Sequence, residues 1–566
     1  MFTQPTLVFT ADPGRRPKWR RTLVYLSPGF VLIFCIFASP ARAARLERLI
    51  DSWKPINYNI TLAFNDALSE IASARVAVTV QAVKDVSVID LDFGDLPIDS
   101  VTVDGTATPF SRAPGLLNIR LAKPLLRDAR AVVVVEYHGA PKDGLVLSND
   151  RAGKPSAIGD NWPDRVHQWI PCLDHPSAKA TVTFTVTAPA RDLVVANGKL
   201  DRVENSSQAN RTWTYTEAAP IPPYCMIVAV GEFAAINMAD APITPLSYYV
   251  PQPDKPYAVH GFAAANPSLR FFSETIAPYP YEKLALIVGA TRFGGMENSS
   301  AIVFPNRLLD TNVPEPLSQV FQVREGLVEV VAHEIAHQWF GDSVTESTWS
   351  DLWLSEGFAT YFAGLMIQRY ESEARFKDYM QSAANTYFNF EKRTRIPIYD
   401  TETEDLFKLL NANNYQKGAW VLHMLRVELG DEIFFRGIRA YYNEHRGSMA
   451  STEDLRAAFE KASGKNLKEF FARWVYGAGH PRYELTWNWN DKTKRLRLVL
   501  DQTQSEAAFP NAVPLAIMMG NSKRLIVIKP DNKHASEEIK LDAAPSSLVV
   551  DPENVILDES RVIRKD

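Results

Sequence analysis

The chain has 566 residues, of which 46% are hydrophobic and 22% charged, and its formal net charge is −5. That length exceeds what one hydrophobic core sustains, so two or three domains are expected, and the composition excludes collagen-like, low-complexity and disordered classes. The acidic balance excludes nucleic acid as a partner, because phosphate binding needs a basic footprint.

The first 43 residues have the grammar of an export signal. Arg15, Arg16, Lys18, Arg20 and Arg21 precede an apolar run from Thr22 to Ala38, and Ala41-Arg42-Ala43 offers small residues at both cleavage positions. Cleavage and a periplasmic or extracellular destination are expected. The alternative is a retained membrane anchor, since the run is about as long as the shortest spanning helices. Removal of this basic segment makes the remainder more acidic. Two cysteines then remain, Cys172 and Cys225, either as one disulfide or as two buried thiols.

From Ile56 to Phe233 the pattern is strand-like. Ala74–Val83, Ala131–Tyr137 and Ala180–Ala188 alternate or run with β-branched residues, which predicts an all-β domain over residues 44–245. The Pro- and Tyr-rich segment Thr244–Pro256 reads as the passage into the next unit. Helical periodicity then dominates residues 246–480, in Leu317–Gly341, Trp353–Tyr370, Tyr415–Gly430 and Thr452–Val475. A helix start is expected at Thr452, with stops at Gly341 and Gly430. After His480 alternation returns in RYELTWNWN, RLRLVLDQ and LAIMMGNSKRLIVI, which predicts two hairpins of a small β-sandwich over 481–566.

The chemistry concentrates in the helical part. His333-Glu334-Ile335-Ala336-His337 spells HExxH inside an apolar helical pattern. Residues four apart share a helix face, so both imidazoles can address one zinc ion while Glu334 stands beside them to activate a zinc-bound water. Catalytic zinc takes three protein ligands and leaves a fourth position open. Glu356, early in the returning helical stretch WLSEGFATYF, is the candidate third ligand.

The segments HEIAHQWFGDSVT, WSDLWLSEGFATYF and FGGMENSS resemble those of the zinc aminopeptidase family typified by membrane alanyl aminopeptidase. This is a gluzincin group of metallopeptidases that also contains the leukotriene hydrolase. Ala277–Val288 and Trp474–Trp487 match the same family in order, so the resemblance covers nearly all of the chain beyond the signal. It implies a multidomain α+β fold: an N-terminal β domain, a thermolysin-like, mainly helical catalytic domain and a C-terminal β-sandwich. It implies one zinc ion per chain, a peptide substrate and release of N-terminal residues, with Glu334 as general base and acid.

The resemblance also implies that Tyr415 donates to the developing oxyanion and that Glu297 pairs with the substrate's α-ammonium. Gly294 and Gly295 would let an extended substrate approach the backbone, Met296 would shape the side-chain pocket, and Asn298 completes the substrate-binding segment. Three departures from the family pattern stand out. Trp162 occupies the counted position of a second amine anchor, with Gln168, Asp160 and Asp164 as substitutes. Asp342 stands where asparagine is expected. The sequence also ends soon after the β-sandwich, so a cleft more open, or covered by another subunit, is expected. The alternatives in function are a hydrolase of another small substrate on the same zinc site, or a catalytically weak peptide-binding protein.

Overall fold

Alternating β-branched and polar residues give the N-terminal half its strands, because each such run buries one face and wets the other. In the computed structural model, which describes residues 44–309 and 323–565 (backbone only for 323–327), Trp53–Phe64 pairs antiparallel with Ile71–Ala82 and parallel with Ala180–Pro189. These strands lie at the centre of an eight-stranded sheet. Tyr58, Ile60 and Leu62 point inward with Val76, Val78 and Val80, and sheets of four and three strands complete this β-rich region and its core. The export signal lies outside the described residues. Among those described, no helix is long and apolar enough to cross a membrane.

The segment Thr244–Pro256 is more than a passage. Leu246–Pro251 is a strand with alternate burial, paired antiparallel to Phe233–Asn237 and parallel to Leu284–Gly289. Ala301–Pro305 closes this second four-stranded sheet. Prolines at its ends flank the strand and leave its interior free to pair, which explains why their density misleads.

Helices come next in the chain: Val323–His337, Trp353–Tyr370, Glu373–Glu391, Gly418–Leu429 and Asp431–His445. The expected stretch Leu317–Gly341 is a helix from Val323, its first residues falling outside the described part, and it stops at His337 rather than Gly341. Thr452–Val475 divides into Thr452–Ser463 and Lys468–Trp474, because Gly464 adopts φ +71° and ends the first helix in the left-handed region. Ser451 and Asp454 form a capping box at its start. Beyond, the strands Arg482–Asn490 and Arg495–Gln502 sit in one four-stranded sheet, and Val513–Met519 and Ser522–Ile528 in a three-stranded one. These sheets share a continuous apolar core with the helices, as where Trp474 meets Phe509 with ring centroids 4.6 Å apart.

One helix crossing sets the position of two chemistry-bearing residues, Glu356 and Tyr415. The helix Trp353–Tyr370 meets the π-helical turn Asn413–Lys417 and the helix after it, where Gly357 and Gly418 approach backbone to backbone. A Cβ on Gly357 would stand 2.9 Å from Gly418 Cα and 3.1 Å from the Asn414 carbonyl oxygen. Gly357→Ala is therefore expected to destabilise the fold by about 1–3 kcal/mol through overpacking. Thermal denaturation checks this, and a midpoint equal to the parent's contradicts it.

Candidate metal centre and active site

The helix Val323–His337 buries Val331, Ala332, Ile335 and Ala336, which fixes its rotation and turns His333 and His337 toward a common cleft. Their Nε2 atoms lie 3.0 Å apart. Glu356, presented by the first turn of the facing helix, brings Oε2 to 3.3 Å from His333 Nε2 and 3.4 Å from His337 Nε2. A tetrahedral zinc ion with bonds of about 2.0–2.1 Å holds its ligand atoms about 3.3 Å apart, so the three atoms already have the spacing that zinc requires. Glu356 Oε2 is buried and makes no hydrogen bond, although both imidazoles stand within ion-pair distance, and a cation among the three satisfies it.

The outer contacts orient the ligands. His337 Nδ1 lies 3.1 Å from the Phe340 carbonyl oxygen and 3.0 Å from Ser355 Oγ, so donation from Nδ1 leaves Nε2 with its lone pair toward the cleft. In the metal-free chain, burial pulls the His337 pKa down, but the carboxylates of Glu356 and Glu297 overcome it and hold the imidazole above its usual range. Burial alone would raise Glu356; the two imidazoles depress it instead. Protons and a metal ion therefore compete for His337. Zinc loading at pH 7 is expected to release protons, and affinity to fall as pH drops. Calorimetry in buffers of different ionisation enthalpy measures the release, and zero proton release would contradict it.

The cleft holds about 240 Å³ and is lined by Gly294, Gly295, Met296, Glu297, His333, Glu334, His337, Glu356 and Tyr415. Gly295 has a steric reason: a Cβ there would overlap the Glu334 carboxylate, whereas a Cβ on Gly294 meets nothing within 4 Å. Met296 bridges to Val303, its N–H donating to the Val303 carbonyl at 2.8 Å and its carbonyl accepting at 2.9 Å, so the segment runs antiparallel beside the strand Ala301–Pro305. Gln338, the residue after His337, clamps that segment to the metal helix. Its Nε2 donates to the Glu297 carbonyl at 3.0 Å and to Asp342 Oδ2 at 2.8 Å, and its Oε1 accepts from Ser300 N at 2.8 Å and Tyr279 OH at 3.0 Å.

Burial raises Glu297 to about 7, with His337 opposing and Glu356 adding to the rise. Burial likewise lifts Glu334, against His337 and together with Glu297 and Glu356. Tyr415 sits on the π-helical turn with its ring stacked on His333, centroids 5.9 Å apart. Its hydroxyl is held in the neutral form by burial and by the adjacent Glu356.

Some expected residues stand elsewhere. Asn298 is fully buried behind the cleft, its Nδ2 donating to the Met296 carbonyl at 3.3 Å, because the turn into Ala301–Pro305 rotates it away. Asp160 is engaged by Arg165 at 3.0 Å and Arg292 at 3.2 Å, and Gln168 packs beside His167 and Gly94. Neither of them lines the cleft, nor does Asp164, whereas Trp162 does. Asp342 accepts from Gln338 and from the Cys225 thiol at 3.2 Å, and burial pushes its carboxyl well up. Cys172 and Cys225 are free buried thiols. Phe293, Glu329, Val330 and Leu410 also line the cleft, and the sequence alone does not single them out. For Glu329 and Val330 the helical spacing from His333 is an available signal, and Phe293 opens the FGGMENSS segment; Leu410 carries none.

Residues 261–474 match the model of the peptidase family M1 domain and residues 54–225 that of the peptidase M1 N-terminal domain. The two stretches together take in more than half of the sequence, and the chain belongs to peptidase family M1. It is 27% identical to tricorn protease-interacting factor F2 of Thermoplasma acidophilum over 78% of this chain and 56% of that protein. It is 30% identical to probable aminopeptidase 2 of Sulfurisphaera tokodaii over 69% of this chain and 50% of that one. The chain thus spans about half the length of the curated relatives it matches. A solved M1 zinc metallopeptidase from Deinococcus radiodurans shares the fold, with a TM-score of 0.63, 24% identity, and coverage of 76% of this chain and 95% of that one.

Proposed function

We propose that the chain is an exported zinc aminopeptidase that removes N-terminal residues from peptides. The observation that carries this reading is the pairing of a metal-ligand triad with a separate buried carboxylate, Glu297, in one small cleft. Zinc held by His333, His337 and Glu356 supplies a Lewis acid that acidifies water and polarises a carbonyl.

Glu334 takes the proton of the attacking water and returns it to the departing amine. The Tyr415 hydroxyl, kept protonated, donates to the carbonyl oxygen as charge develops there. Glu297 pairs with the free α-ammonium. A carboxyl raised to about 7 by burial becomes a full carboxylate once a cation is beside it, so a peptide with a blocked amine leaves it uncompensated. Gly295 keeps backbone against Glu334, which allows an extended substrate to lie along the segment Gly294–Glu297.

Aminoacyl-coumarin substrates are the first test. Turnover is expected to vanish with a chelator, return with zinc and disappear when the amine is acetylated; equal cleavage of acetylated substrate contradicts the exopeptidase reading. Glu334→Gln is expected to lower kcat by about 10²–10⁴-fold with zinc content retained, the range typical of a lost general base. Glu297→Gln is expected to act mainly on KM for free-amine substrates, and parent-like kinetics would remove Glu297 from the amine site. For export, the basic cluster, apolar run and Ala41-Arg42-Ala43 support cleavage before Ala44. N-terminal sequencing of protein recovered outside the cytoplasm checks it, and an intact Met1 there contradicts it.

A further inference from the structure

Glu329 is the carboxylate in the cleft that the hydrolytic chemistry leaves without a role. It stands one helical turn before His333, so Glu329, His333 and His337 succeed one another at intervals of four residues along one helix face, all lining the same cleft. Among the described residues it makes no hydrogen bond or ion pair, and neither Lys nor Arg is found among the residues that line the cleft. Tyr379 is close but gives its hydroxyl hydrogen to the Thr360 carbonyl at 2.9 Å. Burial is the cause that perturbs its carboxyl, raising it, with no contribution from Glu297 or Glu356.

Glu297 occupies the opposite end. Its backbone is bonded to Gln338, past His337, and its carboxylate feels His337 and Glu356. Two helical turns separate Glu329 from His337, about 12 Å along the axis at 1.5 Å per residue. The metal ligands therefore lie between two carboxylates, one at each end of the helix face. An extended peptide advances about 3.3 Å per residue. With its ammonium at Glu297 and its first carbonyl over the triad, the peptide presents its second residue toward Glu329. Val330 beside it offers an apolar surface for an aliphatic stem.

We propose that Glu329 binds a cationic side chain, lysine or arginine, on the residue just after the cleaved bond, so that the enzyme selects its substrates at the second position by charge. This rests on the aminopeptidase reading, which fixes the direction of the peptide. An unpartnered carboxylate in a confined cleft attracts a cation more strongly than one in bulk water, and a charge-assisted hydrogen bond adds direction.

The test uses tetrapeptides Leu-Xaa-Ala-Ala with Xaa as Lys, Gln or Glu, with kcat/KM measured by release of leucine. The parent is expected to favour Lys over Gln by about tenfold and to disfavour Glu, as a single charge-assisted contact allows. Glu329→Gln is expected to bring Lys and Gln within about twofold, and Glu329→Lys to reverse the order in favour of Glu, with ratios taken within each variant so that a general loss of activity cancels. Raising the salt is expected to narrow the parent's preference. Rates within about twofold for all three peptides in the parent, or a lysine preference that persists in both variants, overturn the inference. Failure of the parent to cleave leucyl-coumarin is a different result, and it removes the aminopeptidase reading itself.

Discussion

A buried charge imbalance governs the centre of this protein. Glu297, Glu334 and Glu356 crowd around two imidazoles in a cleft where each carboxylate is at most 6% exposed. Carboxylates so placed cannot all ionise alone, and two of them are pushed up by burial while the third is held down only by the imidazoles it touches. The site is complete only when cations enter it. On the proposed function, a divalent ion among His333, His337 and Glu356 and a substrate ammonium at Glu297 would divide this negative charge between them.

The scaffold holds these groups through contacts that the motif does not contain. Gln338 ties the metal helix to the segment bearing Glu297, so the distance between metal ligands and carboxylate is set by a side-chain amide with all its partners engaged. Gly295 serves by what it lacks, since any side chain there would dislodge Glu334. Lys179 adds a tie from the β-rich region, its Nζ donating to the Asp342 and Ser343 carbonyls at 2.7 Å each, which anchors the loop just after the metal helix. Buried polar networks of this kind are rigid when every member is satisfied.

Much of this architecture is legible in the sequence, and for physical reasons. The strands Arg482–Asn490 and Arg495–Gln502 come from strict alternation across a short turn, and Trp353–Tyr370 from an unbroken apolar helical run. His333 and His337 are readable because zinc geometry imposes a spacing on the helix, and Glu356 because it follows HExxH in the returning segment WLSEGFATYF. What depends on distant partners is not. Leu246–Pro251 reads as a linker because its strand character resides in pairing with Leu284–Gly289. Asn298 adjoins Glu297 in sequence yet faces the interior, since a tight turn intervenes. Trp162 reaches the cleft from the β-rich region; the count to position 162 marks the place, and tertiary packing turns the side chain into the cleft.

The meeting of Gly357 and Gly418 carries an evolutionary consequence. Glu356 precedes one glycine and Tyr415 lies one turn before the other, so a metal ligand and a tyrosine of the cleft are indexed to a single backbone contact. Tight packing sites usually drift through paired exchange, a larger residue on one side matched by a smaller one opposite. Here both partners are already the smallest residue available, so no reciprocal swap exists and the separation of the two helices is closed to stepwise adjustment.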